Sequence, residues 1–218
     1  MSCAICETRK DKRFCPSMHG RICPQCCGEQ REVTLDCPSD CVYLKQARLH
    51  EKPRAWQDLD QSALFPQVEI SEQFLHEHDP LILGMSFALA KAAQKDRSIK
   101  DSDLIAALRA MAKTYETLVN SGLHYEGSPA SMSQQTIITE LQELLKGYRE
   151  EEEKHLGYSR LRDSDVFHGL VFWLRMAQSV TSGRPRARAF VDFLFRQFPE
   201  KRSSLITPEE APSRIIAP

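Results

Sequence analysis

The chain has 218 residues, 41% of them hydrophobic and 27% charged, with a formal net charge of −1. That length supports one ordinary core plus a small accessory module, and the near-zero charge excludes a whole-chain electrostatic pull toward nucleic acid or anionic lipid. No run approaches the roughly eighteen apolar residues of a membrane span, and the opening MSCAICETRK lacks the apolar stretch of a secretory signal, so a soluble, cytoplasmic protein with no membrane partner is expected.

The first element in chain order is also the most informative. All eight cysteines fall between Cys3 and Cys41. In a reducing compartment, thiols this close together are metal ligands rather than disulfides. Cys3 and Cys6 form one C-x2-C knuckle, Cys23 and Cys26 another, and Cys15, His19, Cys37 and Cys41 supply further donors. Tetrahedral zinc takes four ligands at ~2.3 Å for sulfur and ~2.0–2.1 Å for nitrogen, so seven cysteines and one histidine make two complete sets. Pairing can be consecutive (Cys3/Cys6/Cys15/His19 and Cys23/Cys26/Cys37/Cys41) or interleaved. The interleaved sets, Cys3/Cys6/Cys23/Cys26 and Cys15/His19/Cys37/Cys41, are preferred. They put both knuckles on one ion and tie the ends of the module through the other, stabilising a segment too short to build a core.

Cys26 is preferred to Cys27 in the first set because it completes the knuckle just before Gly28; Cys27 is the alternative ligand, or a small buried hydrophobe. Residues 1–55 carry ten Lys/Arg against seven Asp/Glu. Seven coordinating thiolates and two Zn2+ ions bring the loaded module to neutrality, which removes support for a basic nucleic-acid finger.

The order C-x2-C, eight residues, CPSMHGRIC-x2-C and a later ligand pair resembles the B-box zinc finger of tripartite-motif proteins. The resemblance covers about residues 3–44. It implies two zincs in a RING-like cross-brace and a role in protein interaction or self-association. Two departures are visible: the last pair is Cys37/Cys41 where that family usually has histidines, and Cys27 is an additional thiol. A looser resemblance is to bacterial zinc-finger proteins with the same CC-G…CP-x-D-C-x-YL arrangement ahead of a helical region.

Ser39 and Asp40 are N-cap types, so a helix starting there would hold Cys41 in its first turn and continue through VYLKQARLH. The module is thus residues 1–50. A linker, 51–70, follows, in which Pro53 and Pro66 argue against regular structure while Trp56, Phe65, Val68 and Ile70 suggest docking on something. The domain 71–200 reads as helical. A short turn at 71–77 precedes a nearly all-apolar helix opened by Asp79-Pro80. A second starts at Asp101 or Ser102 and stops at Gly122, a third starts at Ser133, and a fourth near Asp163 or Ser164. A fifth runs from Pro185 to just before Pro199. The fold class is therefore mainly α: a small two-zinc cross-brace module followed by an all-α bundle of about five helices. The loop with Tyr125 and Glu126 reads as a connector, and residues 201–218 as a disordered tail.

Catalytic patterns are weak. Glu152 and His155 form a single E-x-x-H, whereas a di-iron bundle needs two plus further inward glutamates. His76, His78 and Asp79 straddle a helix start, His168 sits on an apolar face, and there is no phosphate loop or nucleophile elbow. From Arg184 to Arg202 six basic residues face two acidic ones, and Arg184, Arg186, Arg188 and Arg196 form a candidate binding patch for phosphate or an acidic partner; alternatively they are solvated or paired with the carboxylates at 150–153. The expectation is a non-enzymatic zinc protein working as a protein-interaction or self-association adaptor. The alternative is a nucleic-acid-binding regulator that uses the finger and this patch.

Overall fold

The computed structural model describes residues 2–52, 54–55, 57, 59, 61–123 and 129–198. Trp56, Tyr125, Glu126, Lys201, Arg202 and the expected 201–218 tail lie outside them.

The amino-terminal module is built on a hairpin. Strands β1 (Arg13–Cys15) and β2 (Gly20–Ile22) pair antiparallel, with Arg13 opposite Ile22 and Cys15 opposite Gly20. The turn between them ends on His19 at φ 50, a left-handed conformation in which histidine is enriched among non-glycine residues. Directly after β2 comes α1 (Pro24–Gln30), with Cys23 as its N-cap and Pro24 at the first helical position, where the missing N–H costs nothing. The next helix, α2 (Val42–His50), is capped by Cys41 itself, so this cysteine precedes the first turn instead of lying in it.

The segment expected to be an irregular linker is part of the bundle. Residues Gln61–Leu64 form a 3-10 turn, and Leu59, Leu64, Phe65 and Val68 are buried. Phe65 meets Phe167 edge to face at 5.4 Å. The Arg175 guanidinium donates to the carbonyls of Leu64 (3.1 Å), Phe65 (2.6 Å) and Val68 (2.9 Å), satisfying backbone groups that no helix or strand pairs.

Six helices follow: α3 (Glu72–Glu77), α4 (Asp79–Lys95), α5 (Asp101–Ser121), α6 (Met132–Leu156), α7 (Asp163–Val180) and α8 (Ala189–Gln197). Four of them, α3, α5, α6 and α7, start on a side-chain hydrogen bond. Ser71 accepts from the N–H of Phe74 (3.0 Å), Ser131 from that of Gln134 (3.2 Å), Asp103 from that of Lys100 (2.9 Å) and Asp165 from that of Arg162 (3.1 Å). α5 stops where Gly122 turns left-handed at φ 70.

α4 is central, touching α3, α6, α7 and α8, and it buries Leu81, Met85 and Leu89 against Leu141 of α6, Leu170 of α7 and Phe190 of α8. The Trp173 indole N–H donates to the Ile82 carbonyl at 3.0 Å. The expected start of α8 at Pro185 is corrected to Ala189. Its first turn is held by Asp101, whose buried carboxylate accepts from the N–H groups of Phe190 and Val191 (both 3.1 Å), a cap supplied from 89 residues away. Burial raises the Asp101 carboxyl above its usual range, while the backbone donors oppose that rise. Among the described residues, no helix is long and apolar enough to cross a membrane.

Candidate metal centre

The hairpin and α1 gather the first ligand set. The sulfurs of Cys3, Cys6, Cys23 and Cys26 all lie within 4.8 Å of one another. A zinc tetrahedron with ~2.3 Å arms has edges of about 3.8 Å, so four thiolates at this spacing suit one ion. Local folding explains the gathering. In the first knuckle Cys3 donates its N–H to the Arg9 carbonyl and accepts from Glu7 N–H, both at 2.8 Å, with Glu7 left-handed at φ 55. Ala4 N–H donates to the Arg21 carbonyl at 3.0 Å, seating that knuckle on β2.

The sulfurs are also supplied with donors. Cys3 Sγ accepts from Cys23 N–H at 3.1 Å and Cys23 Sγ from Cys26 N–H at 3.4 Å. The Cys6 thiol is pushed down to about 5, chiefly by the Thr8 hydroxyl and then by the N–H groups of Arg9 and Thr8. The N–H of Cys26 lowers the Cys23 thiol, whereas burial pushes Cys26 up to about 12. Hydrogen bonding to Cys23 raises the Arg9 guanidinium, which supplies positive charge beside a cluster that is negative when its thiols ionise. Such donors orient metal ligands and stabilise their charged form; a dication at the centre would do so far more strongly.

The remaining four cysteines lie on one small cavity. Cys15, Cys27, Cys37 and Cys41 all line a cavity of about 10 Å3, room for about one water-sized occupant. Phe14, Ile22, Leu35, Tyr43 and Leu44 complete its wall. His19 is exposed on the hairpin turn and is not part of this wall. Cys27, which the sequence offers as the alternative ligand, does line it. Consecutive residues on a helix point about 100° apart, so α1 can turn Cys26 toward one group and Cys27 toward the other.

The other candidates are engaged elsewhere. Glu152 accepts from the Ser159 hydroxyl and Arg160 N–H (both 2.8 Å) and from Leu161 N–H (3.1 Å), which closes the loop after α6; His155 pairs with Glu151 on the exposed face at 3.2 Å. His168 packs edge to face on Phe74 at 5.3 Å, and burial lowers its pKa. His78 stands 3.9 Å from Asp165, while His76 and Asp79 are exposed. Among the described residues, the cluster on Cys3 is the one group of metal-ligating side chains at 4.8 Å spacing.

The arginine patch is divided. Arg184 donates to the carbonyls of Arg31 (2.8 Å) and Gly28 (3.4 Å), and Arg188 to those of Ile99 (2.9 Å) and Arg97. Arg186 and Arg196 are exposed. Neither bound arginine reaches the 150–153 carboxylates, because each finds unpaired helix-end or loop carbonyls nearer at hand.

Arg184 belongs to a polar junction between module and bundle. At its centre is Glu32, 1% exposed and left-handed at φ 54. Its carboxylate accepts from Arg48 (2.9 Å) and the Ser182 hydroxyl (3.2 Å), and its carbonyl from Arg186 N–H (2.8 Å). Arg48 also pairs with Asp192 of α8, which accepts from Ser39 at 2.7 Å, and Lys100 reaches Asp36 at 2.6 Å. Comparison with protein families, with curated proteins and with solved structures finds no match to this chain.

Proposed function

We propose that the chain is a non-catalytic adaptor whose amino-terminal module is folded by two zinc ions, one on Cys3, Cys6, Cys23 and Cys26 and the other on Cys15, Cys27, Cys37 and Cys41. The observation that carries this reading is the close approach of the four sulfurs in the first set. The shared cavity of the other four cysteines supports the second site, since all four line the same small space. Zinc is favoured over redox iron because both sets are closed four-thiolate sites in a segment too short for its own core.

The interaction half of the reading rests on what the module leaves exposed. Phe14, Met18, Val33, Val42 and Leu49 are all exposed large hydrophobics. Phe14 and Met18 sit together on the hairpin, an apolar tip that a protein partner or a second copy would cover. The nucleic-acid alternative keeps Arg186 and Arg196 but loses Arg184 and Arg188 to backbone carbonyls.

One experiment tests both halves: metal analysis with light scattering on the purified chain and three variants. The expected result is two zincs per chain, retained in His19→Ala and reduced to one in Cys27→Ser. The Phe14→Ser/Met18→Ser double variant should keep both zincs but lose association with itself or with a partner. A Cys27→Ser protein that keeps two zincs alongside a His19→Ala protein that loses one would return the second site to the histidine set.

A further inference from the structure

A cavity of about 500 Å3 opens at the junction of module and bundle. Its size is that of small-molecule pockets, which run from about 300 to 1,000 Å3. One wall is Arg48 at the end of α2 and the segment behind it, Glu51, Lys52 and Arg54; the other is Thr181 and Ser182 after α7 with Phe193 and Arg196 of α8, and Arg184 lies between. The two walls are joined by Arg54 N–H, which donates to the Ser179 carbonyl at 3.2 Å.

Among the described residues, the charge lining this cavity is predominantly positive. Five cations line it against one carboxylate, Glu51. Arg48 is committed to Glu32 and Asp192, and Arg184 to two carbonyls. Lys52, Arg54 and Arg196 have no carboxylate partner among the described residues. The backbone also makes room for one of them. Gly183 is left-handed at φ 72, and a Cβ there would stand 3.3 Å from Arg54 Nη1, so a side chain at 183 would crowd the guanidinium. Phe193, stacked on Phe190 at 6.0 Å, gives the same cavity an aromatic surface.

We propose that this cavity binds a small phosphorylated organic anion of mononucleotide size, with Lys52, Arg54 and Arg196 on the phosphate oxygens and Phe193 against the organic part. Three cations without a carboxylate partner among the described residues, lining one concave site, suit clustered negative charge, and arginine forks suit phosphate geometry. A nucleic-acid strand shares the phosphate chemistry but needs a continuous basic track, and Arg188, the next arginine along, is turned inward to Arg97 and Ile99. Because Lys52 and Arg54 come from the segment after α2 and Arg196 from α8, a bound anion bridges the two walls.

The test is calorimetric titration of the full zinc-loaded chain with pyrophosphate, ADP, adenosine and a short single-stranded DNA, repeated on Arg54→Ala, Arg196→Ala and Gly183→Val, with zinc content and melting temperature measured alongside. The expected result is that ADP binds more tightly than pyrophosphate and adenosine does not bind. Each arginine variant should weaken ADP about tenfold or more with zinc content unchanged, and Gly183→Val should weaken it as well. No binding of ADP or pyrophosphate, or ADP binding unchanged in both arginine variants, overturns the proposal. DNA binding without ADP binding overturns it in favour of a nucleic-acid phosphate. Should Gly183→Val melt early, the two arginine variants decide, since Arg196 is exposed and Arg54 lies at the surface of the open cavity.

Discussion

The module and the bundle solve the same folding problem by different chemistry. In the bundle, α4 is covered on several sides and Leu81, Met85, Leu89, Leu108, Leu141 and Leu170 are all but sealed from water, so apolar burial holds the helices. The module's buried cluster consists of Cys3, Cys15, Ile22, Cys23, Cys26, Cys27 and Leu35, in which five of seven members are thiols. A core of that kind contributes little by transfer from water, so its strength depends on what binds the sulfurs. The junction between the two is of a third kind, a set of charged hydrogen bonds centred on Glu32. Three regions of one chain therefore depend on three different forces.

Each force can be removed separately. The largest effect is expected from chelation of the metal, because a structural zinc contributes about 10–16 kcal/mol to a finger's folding. Limited proteolysis should then cut within residues 2–50 while far-UV circular dichroism retains most of the signal from α4 to α8; loss of both together would show that the regions do not fold separately. Glu32→Ala comes next. Removing one partner of a buried ion pair costs about 3–5 kcal/mol, and the lower end is expected here because Arg48 keeps Asp192 while Ser182 loses its acceptor. Urea denaturation should show that loss, and the metal analysis should still return the wild-type zinc content. Leu170→Ala in α7 should cost about 2–5 kcal/mol in the same urea experiment, with unchanged thiol reactivity in the module. A fall in zinc content in that variant would mean that the module leans on the bundle's core.

The bundle was largely legible in the sequence because its signals are local. Asp101 and Gly122 delimit α5, and Asp163 opens α7, as capping and periodicity predict. The start of α8 was not, because Pro185 is a strong local signal for a helix start and the actual cap, Asp101, is distant in the chain. The first ligand set follows from two C-x2-C knuckles and the interleaving argument. The second set was less legible: whether His19 or Cys27 stands nearer Cys15 depends on the handedness of the hairpin turn and the rotation of α1, neither of which the ligand spacing determines. The roles of Arg184 and Arg188 were hidden for a similar reason. Their partners are main-chain carbonyls, which every residue carries and no composition reveals.

The seven residues of α1 span only about 10 Å. Cys23 and Cys26 stand at its start, and Arg184 from the bundle grips the carbonyls of Gly28 and Arg31 at its far end. Any event that reorients this rod is therefore felt at both ends. With an ion on the cysteines, thermodynamic reciprocity would require docking against the bundle to raise their affinity for it by the same factor by which it strengthens docking. The chain would in that way report metal supply as a change in how firmly its two halves hold together.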